Sequence, residues 1–131
     1  MEITKLYKLY KKTPRICTDT RNIHKNSIFF ALKGEKFNAN KFAKEAIDNG
    51  CTFAIIDQKE YCFDDRFILV ENVLETLQEL AKYHRNQLSI PIIGITGSNG
   101  KTTSKELIHN VLKHSLTVSY THLTLPTTPY V

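Results

Sequence analysis

Apolar positions along this chain follow two spacings, that of amphipathic helices and that of short buried strands. Ile3, Leu6, Tyr7 and Tyr10 recur at helical spacing over residues 3–12, and Thr13-Pro14 ends the run because proline cannot continue a helix interior. Residues 15–18 read as a short strand. Residues 27–32 (SIFFAL) form an apolar run of strand length, the pattern of a strand buried on both faces. Residues 40–49 predict a helix with Phe42, Ala43, Ala46 and Ile47 on one stripe and Gly50 as its stop. Residues 52–56 (TFAII) and 67–70 (FILV) are two further buried strands. Asn72, with Glu75 three residues on, is the signature of a capping box opening a helix that runs to about Gln87. Leu74, Leu77, Leu80, Ala81 and His84 recur along that helix, and a lone histidine in such a place is expected to be packed rather than to bind a metal.

Ser89-Ile90-Pro91 punctuates the pattern and is the expected domain boundary. A second unit then opens with a strand over residues 92–96 (IIGIT), a glycine loop and a helix over residues 101–113. Strands alternating with helices imply an α/β protein with a largely parallel sheet. The expected organisation is a small amino-terminal domain over 1–88, the start of a second, truncated parallel-sheet domain over 89–117, and a tail over 118–131.

That tail breaks the style of the chain. No Lys, Arg, Asp or Glu occurs from His114 to Val131, and residues 118–127 (VSYTHLTLPT) resemble a translated library adapter. A cloning scar is expected, with the natural sequence ending near Thr117 and the molecule a fragment; a polar linker is the alternative.

Charge and cysteine usage narrow the partners. The 131 residues carry a formal net charge of +5, with 41% hydrophobic and 24% charged residues, as in an ordinary globular protein. Lys5, Lys8, Lys11, Lys12 and Arg15 face only Glu2 near the start. A basic cluster of this kind is either a nucleic-acid footprint or the solvated face of the first helix, and no recognition motif follows it, so the second is expected. The three cysteines form no CxxC pair. Cys17 and Cys51 sit beside apolar strands and are expected as buried free thiols, a usage suited to a reducing cytosol. No signal peptide or membrane-length apolar run is present, so a soluble cytoplasmic protein without membrane partners is expected; a monomer without nucleic-acid partners is also expected.

Chemistry concentrates at residues 97–103 (GSNGKTT), between a β-branched run and an amphipathic helix. Gly97 and Gly100 let the backbone curl so that successive N–H groups, those of Ser98 and Asn99 among them, converge on one anion. The following helix turns its free N–H groups and positive dipole end to the same point. Lys101 can reach β- and γ-phosphates, and a hydroxyl of Thr102 or Thr103 can hold Mg²⁺. Chance gives GxxGKT about once in 500 chains of this length. The spacing is shorter than the common GxxxxGK[ST] loop, since Ile95 stands where that motif needs glycine.

Residues 95–106 (ITGSNGKTTSKE) resemble the ATP loop of the Mur ligases, cytoplasmic enzymes that extend the peptide of peptidoglycan precursors. Residues 18–21 (TDTR) and 27–34 (SIFFALKG) resemble the family's amino-terminal uridine-nucleotide domain. Ser98, Lys105 and Glu106 are most similar to the members that add D-alanyl-D-alanine, with the diaminopimelate- or lysine-adding members as the alternative. Folylpolyglutamate synthases share the TGxxGKT loop, without a reason to carry the earlier block. The resemblance covers residues 1 to about 117.

It implies ATP contacts at Gly97, Ser98, Asn99, Gly100, Lys101, Thr102 and Thr103, with Lys101 catalytic and Thr102 or Thr103 on Mg²⁺. It places uridine-nucleotide contacts at Thr20 and Arg21 and at Lys33, Gly34, Phe37 and Asn38. The implied substrates are UDP-N-acetylmuramoyl tripeptide and D-Ala-D-Ala, joined through an acyl phosphate. For Asp19-Thr20-Arg21 the alternative is a turn with a local ion pair. With most of the family's ATPase residues beyond Thr117, the fragment alone is expected to be inactive. Two other classes stay open at this point: a stand-alone uridine-nucleotide module, and a different P-loop ATPase using its basic helix on nucleic acid.

Overall fold

The run SIFFAL becomes a strand with no solvent-facing side, and the first unit is organised around it. In the computed structural model, which describes residues 2–118, four parallel strands lie side by side in chain order. They are β1 (Ile16–Cys17), β2 (Ile28–Phe30), β3 (Phe53–Ile56) and β4 (Phe67–Leu69). The register sets Phe29 beside Ala54 and Phe30 beside Ile55. Because successive strand residues point to opposite faces, this one register builds two cores.

Ile28, Phe30 and Ile55 pack with Leu6, Val73 and Leu80 on one face, beneath the helices α1 (Ile3–Lys12) and α3 (Val73–Gln87). Phe29, Ala31, Ala54 and Ile56 pack on the other with Ala43, Ala46 and Ile47 of the helix α2 (Ala43–Asp48) and with the buried, free Cys17 and Cys51. The first unit, which ends at Ser89, is therefore a three-layer α/β/α arrangement on a parallel sheet, as expected.

The basic face of α1 is solvated: Lys5, Lys8, Lys11 and Lys12 are exposed, while Leu6 is buried and Tyr7 and Tyr10 half-buried. His84 is a packed residue, its Nδ1 3.2 Å from the Tyr7 hydroxyl and its ring edge-on to Tyr10.

Four details differ from the sequence pattern. The helix expected over residues 40–49 begins as a separate 3₁₀ turn, Ala39–Phe42, because side-chain bonds of Asn38 and Asn40 set its first residues before α2 starts. The stripe of α3 that meets the core carries Val73, Leu77 and Leu80, whereas Leu74 and Ala81 face solvent. Its capping box is half made: Asn72 Oδ1 accepts the Glu75 N–H at 3.1 Å, but Glu75 Oε1 takes the Asn72 amide at 3.3 Å instead of a backbone N–H. Residues 92–96 form no strand, since among the described residues no neighbour pairs with them, and Ile92 and Ile93 are exposed.

The second unit begins at Ile90 and contains the helix α4 (Lys101–Leu112). The expected tail lies outside the described residues except for Val118. Among the described residues no helix is long and apolar enough to cross a membrane.

Phe30 is fully buried between β2's neighbours and the α1/α3 layer. Phe30→Ala is expected to cost about 3–5 kcal/mol, against about 1 kcal/mol for removing the cap in Asn72→Ala. Urea unfolding followed by circular dichroism checks the order.

Candidate functional site

Four strands running the same way bring their carboxyl ends to one edge, which is where open parallel sheets bind ligands. Thr20 and Arg21 follow β1, while Lys33, Gly34, Phe37 and Asn38 follow β2. The topology thus collects on one sheet edge the residues expected for the uridine nucleotide.

After β1 the chain turns into a short 3₁₀ helix, Thr20–Asn22, whose cap is Asp19: its Oδ1 accepts the Arg21 N–H at 2.9 Å. The Arg21 side chain then closes on the same carboxylate, with Nε 3.0 Å from Oδ1 and Nη2 2.6 Å from Oδ2. These bonds hold the Asp19 carboxyl at about 2, well below its usual 3.8, and push the Arg21 guanidinium up. The turn with a local ion pair is present, and its outer surface stays open, since the Arg21 side chain is 88% exposed.

After β2 the chain makes a tight reversal. Lys33 and Asn38 pair across its neck, and the Gly34 N–H donates to the Phe37 carbonyl at 2.8 Å. Phe37 is 57% exposed, yet its ring is fixed by stacking on Phe42, with centroids 5.5 Å apart and planes 9° from parallel. Asn38 is half-buried. Its Oδ1 accepts from the Asn40 backbone N–H at 3.1 Å, and its Nδ2 donates to Gln58 Oε1 at 2.7 Å.

Sequence pattern alone missed the support of this loop. Asn40 is wholly buried, and its Nδ2 donates to both Asn38 Oδ1 (2.9 Å) and Asp57 Oδ1 (2.8 Å). Its Oδ1 accepts the Asp57 N–H at 3.1 Å. The available signal was the abrupt change from FAII to Asp57-Gln58 at the end of β3, together with an asparagine in a run that otherwise packs apolar residues.

The second unit holds the glycine loop. Gly97 has φ 153° and Gly100 φ 76°, both values that side chains with a Cβ rarely adopt, so the two glycines set the curl before the helix. Gly100 is the N-cap of α4 and supplies no capping side chain, and helix geometry leaves the N–H groups of the first turn without intrahelical acceptors. Lys101 folds back so that its Nζ donates to the Gly97 carbonyl. Thr102 and Thr103 are exposed on the first turn. Open N–H groups, an ammonium and two hydroxyls at one helix start fit a polyphosphate with a divalent ion.

No family model matches the chain. The UDP-N-acetylmuramoyl-tripeptide–D-alanyl-D-alanine ligase of Bacillus subtilis is 37% identical over 121 residues, which takes in 86% of this chain and 26% of the relative. The ligase of the same name from Synechocystis is 41% identical over 99 residues, 74% of this chain and 22% of the relative. The UDP-N-acetylmuramoyl-L-alanyl-D-glutamate–2,6-diaminopimelate ligase of Lawsonia intracellularis is 36% identical over 109 residues, 80% and 23% respectively. In three dimensions the chain is similar to the MurF ligase of Thermotoga maritima solved in complex with ADP, with a TM-score of 0.66, 36% identity, and coverage of 79% of this chain and 24% of that one. The chain spans about a quarter of the length of the curated relatives it matches. In sequence and in fold the chain is similar to Mur ligases over about a quarter of their length.

Proposed function

We propose that this chain is the amino-terminal part of an ATP-dependent ligase that adds D-Ala-D-Ala to UDP-N-acetylmuramoyl tripeptide in peptidoglycan precursor synthesis. The observation that carries the proposal is the glycine loop at the start of α4, shaped for a polyphosphate in a chain related to ligases acting on UDP-linked peptides. The tripeptide reading is favoured over the diaminopimelate-adding one by the solved structural neighbours and by Ser98, Lys105 and Glu106.

In this role the γ-phosphoryl group of ATP passes to the terminal carboxylate of the tripeptide, giving an acyl phosphate and ADP. The amine of D-Ala-D-Ala then attacks the acyl carbon, and phosphate leaves as the amide bond forms. The backbone N–H groups at residues 97–103 bind the phosphates, and Lys101 leaves the Gly97 carbonyl to meet charge developing on the transferred group. Thr102 or Thr103 would hold Mg²⁺, which neutralises phosphate charge when bound. At the sheet edge, Arg21 keeps its Nη1 side for the diphosphate while Asp19 fixes the rest of the fork. Thr20 and Lys33 add a hydroxyl and a charge, the Gly34 turn lets the ligand approach, and the Phe37 ring offers a flat apolar face to the uracil.

A chimera tests the assignment: residues 2–117 replace the matching segment of the Bacillus subtilis relative. It is expected to release ADP only when UDP-N-acetylmuramoyl tripeptide and D-Ala-D-Ala are both present, and Lys101→Ala should lower kcat about 10³-fold. A folded chimera that releases none would overturn the proposal. The 131-residue chain by itself is expected to show no turnover.

The Asp19–Arg21 pair gives a second check. A carboxyl whose folded pKa is depressed stabilises the fold above its unfolded value of 3.8, and that contribution is lost as pH falls through about 2. Carboxyl ¹³C NMR is expected to put the Asp19 midpoint at about 2, and Arg21→Ala should move it up toward 3.8 while weakening binding of the UDP-tripeptide.

A further inference from the structure

Asn40 is a fully buried polar side chain in a layer that otherwise packs Ala39, Ala43 and Ala46. Burying an amide is unfavourable unless its donors and acceptors are met, and an apolar residue of similar size would fill the space without that demand. Three of its hydrogen bonds are made, and all three reach polar groups at the carboxyl edge of the sheet: Asn38 Oδ1, Asp57 Oδ1 and the Asp57 N–H. Asn38 extends the link to Gln58. The 3₁₀ turn that carries Asn40 also carries Phe42, against which Phe37 stacks. One short turn therefore holds the reversal at residues 33–38 by two contacts: Asn40 ties Asn38 at its neck to the end of β3, and Phe42 stacks on Phe37 in its returning arm.

We propose that Asn40 is a positioning residue for the UDP-sugar substrate, clasping the loop of residues 33–38 against Asp57 so that Lys33, Gly34 and Phe37 are presented in a fixed geometry. The inference rests on the reading of this edge as the uridine-nucleotide site. Asn40 touches no ligand in this role. It lowers the ordering cost of binding by holding the loop in advance. Its partners lie beyond the hydrogen-bonded part of the sheet, so the clasp can be cut while the ladder stays whole: Ala31 N–H to Ile55 at 3.0 Å and Val70 N–H to Ile56 at 2.8 Å do not depend on it.

The test uses the 131-residue chain, with amide hydrogen exchange read by NMR and titration with UDP-N-acetylmuramoyl tripeptide. Asp57→Ala removes the clasp's acceptor at the end of β3, whereas Asp57→Asn keeps an oxygen in its place. Exchange at Gly34 and Ala39, whose N–H groups close the loop onto Phe37 and Leu32, is expected to quicken about tenfold in Asp57→Ala and to recover in Asp57→Asn, with Ala31 and Val70 unchanged. Kd for the UDP-tripeptide is expected to rise about tenfold in Asp57→Ala and in Asn40→Ala, and to return within about twofold of the parent in Asp57→Asn. Unchanged exchange at Gly34 and Ala39, or a uniform quickening of all four amides, overturns the clasp. A loosened loop with unchanged Kd overturns its role in binding. A loosened loop in a chain whose unsubstituted form binds no UDP-tripeptide supports the clasp and sinks the substrate reading.

Discussion

A parallel sheet buried on both faces leaves polar chemistry very few places to stand. In β2, Phe29 and Phe30 point into opposite cores, and both cores are closed by helices. Charged or hydrogen-bonding side chains inside either layer would carry a desolvation cost, so the groups suited to a ligand sit where the strands end. Asp19 and Arg21 leave β1, the reversal at residues 33–38 leaves β2, and Asp57 and Gln58 leave β3. Asn40 ties the ends of β2 and β3 together: it lies within the buried layer, and its side-chain bonds reach only groups at that edge. The back-to-back phenylalanines and the polar rim are thus two consequences of one constraint.

Much of this architecture was legible because it is local. Helix spacing in Ile3, Leu6, Tyr7 and Tyr10, the Asn72 cap and the β-branched strand runs each depend on residues within a few positions of one another. The glycine loop was legible for the same reason: its positive φ values and the helix that follows are set by seven consecutive residues. What escaped was set by distant partners. Asn40 reads as a helix residue until Asp57, seventeen positions away, is placed beside it. Val73 rather than Leu74 entered the core because the sheet fixed the rotation of α3, and a one-residue shift of the stripe is invisible to periodicity alone. Residues 92–96 carry the composition of a strand, but a strand exists only with a paired neighbour, which the described residues do not provide. The residues expected for the substrate were named by family resemblance, and their common edge became visible only with the topology.

The two cations expected to meet phosphate are held in different ways, and the difference suits different tasks. Lys101 rests on a single backbone carbonyl, that of Gly97. An ammonium on a flexible stem loses little when it exchanges a neutral carbonyl for a phosphate oxygen, so it can follow a charge that moves during group transfer. The Arg21 side chain makes three hydrogen bonds to a carboxylate whose proton affinity it lowers strongly. Pulling that fork away would leave the Asp19 carboxylate with only the Arg21 backbone N–H, so the guanidinium is biased toward this place and offers its outer edge. A fixed cation can recognise a diphosphate that does not react, but it cannot track one that does. In the proposed ligase the division follows from the chemistry: the uridine diphosphate is a handle and remains intact, while the γ-phosphoryl group of ATP is the part that travels.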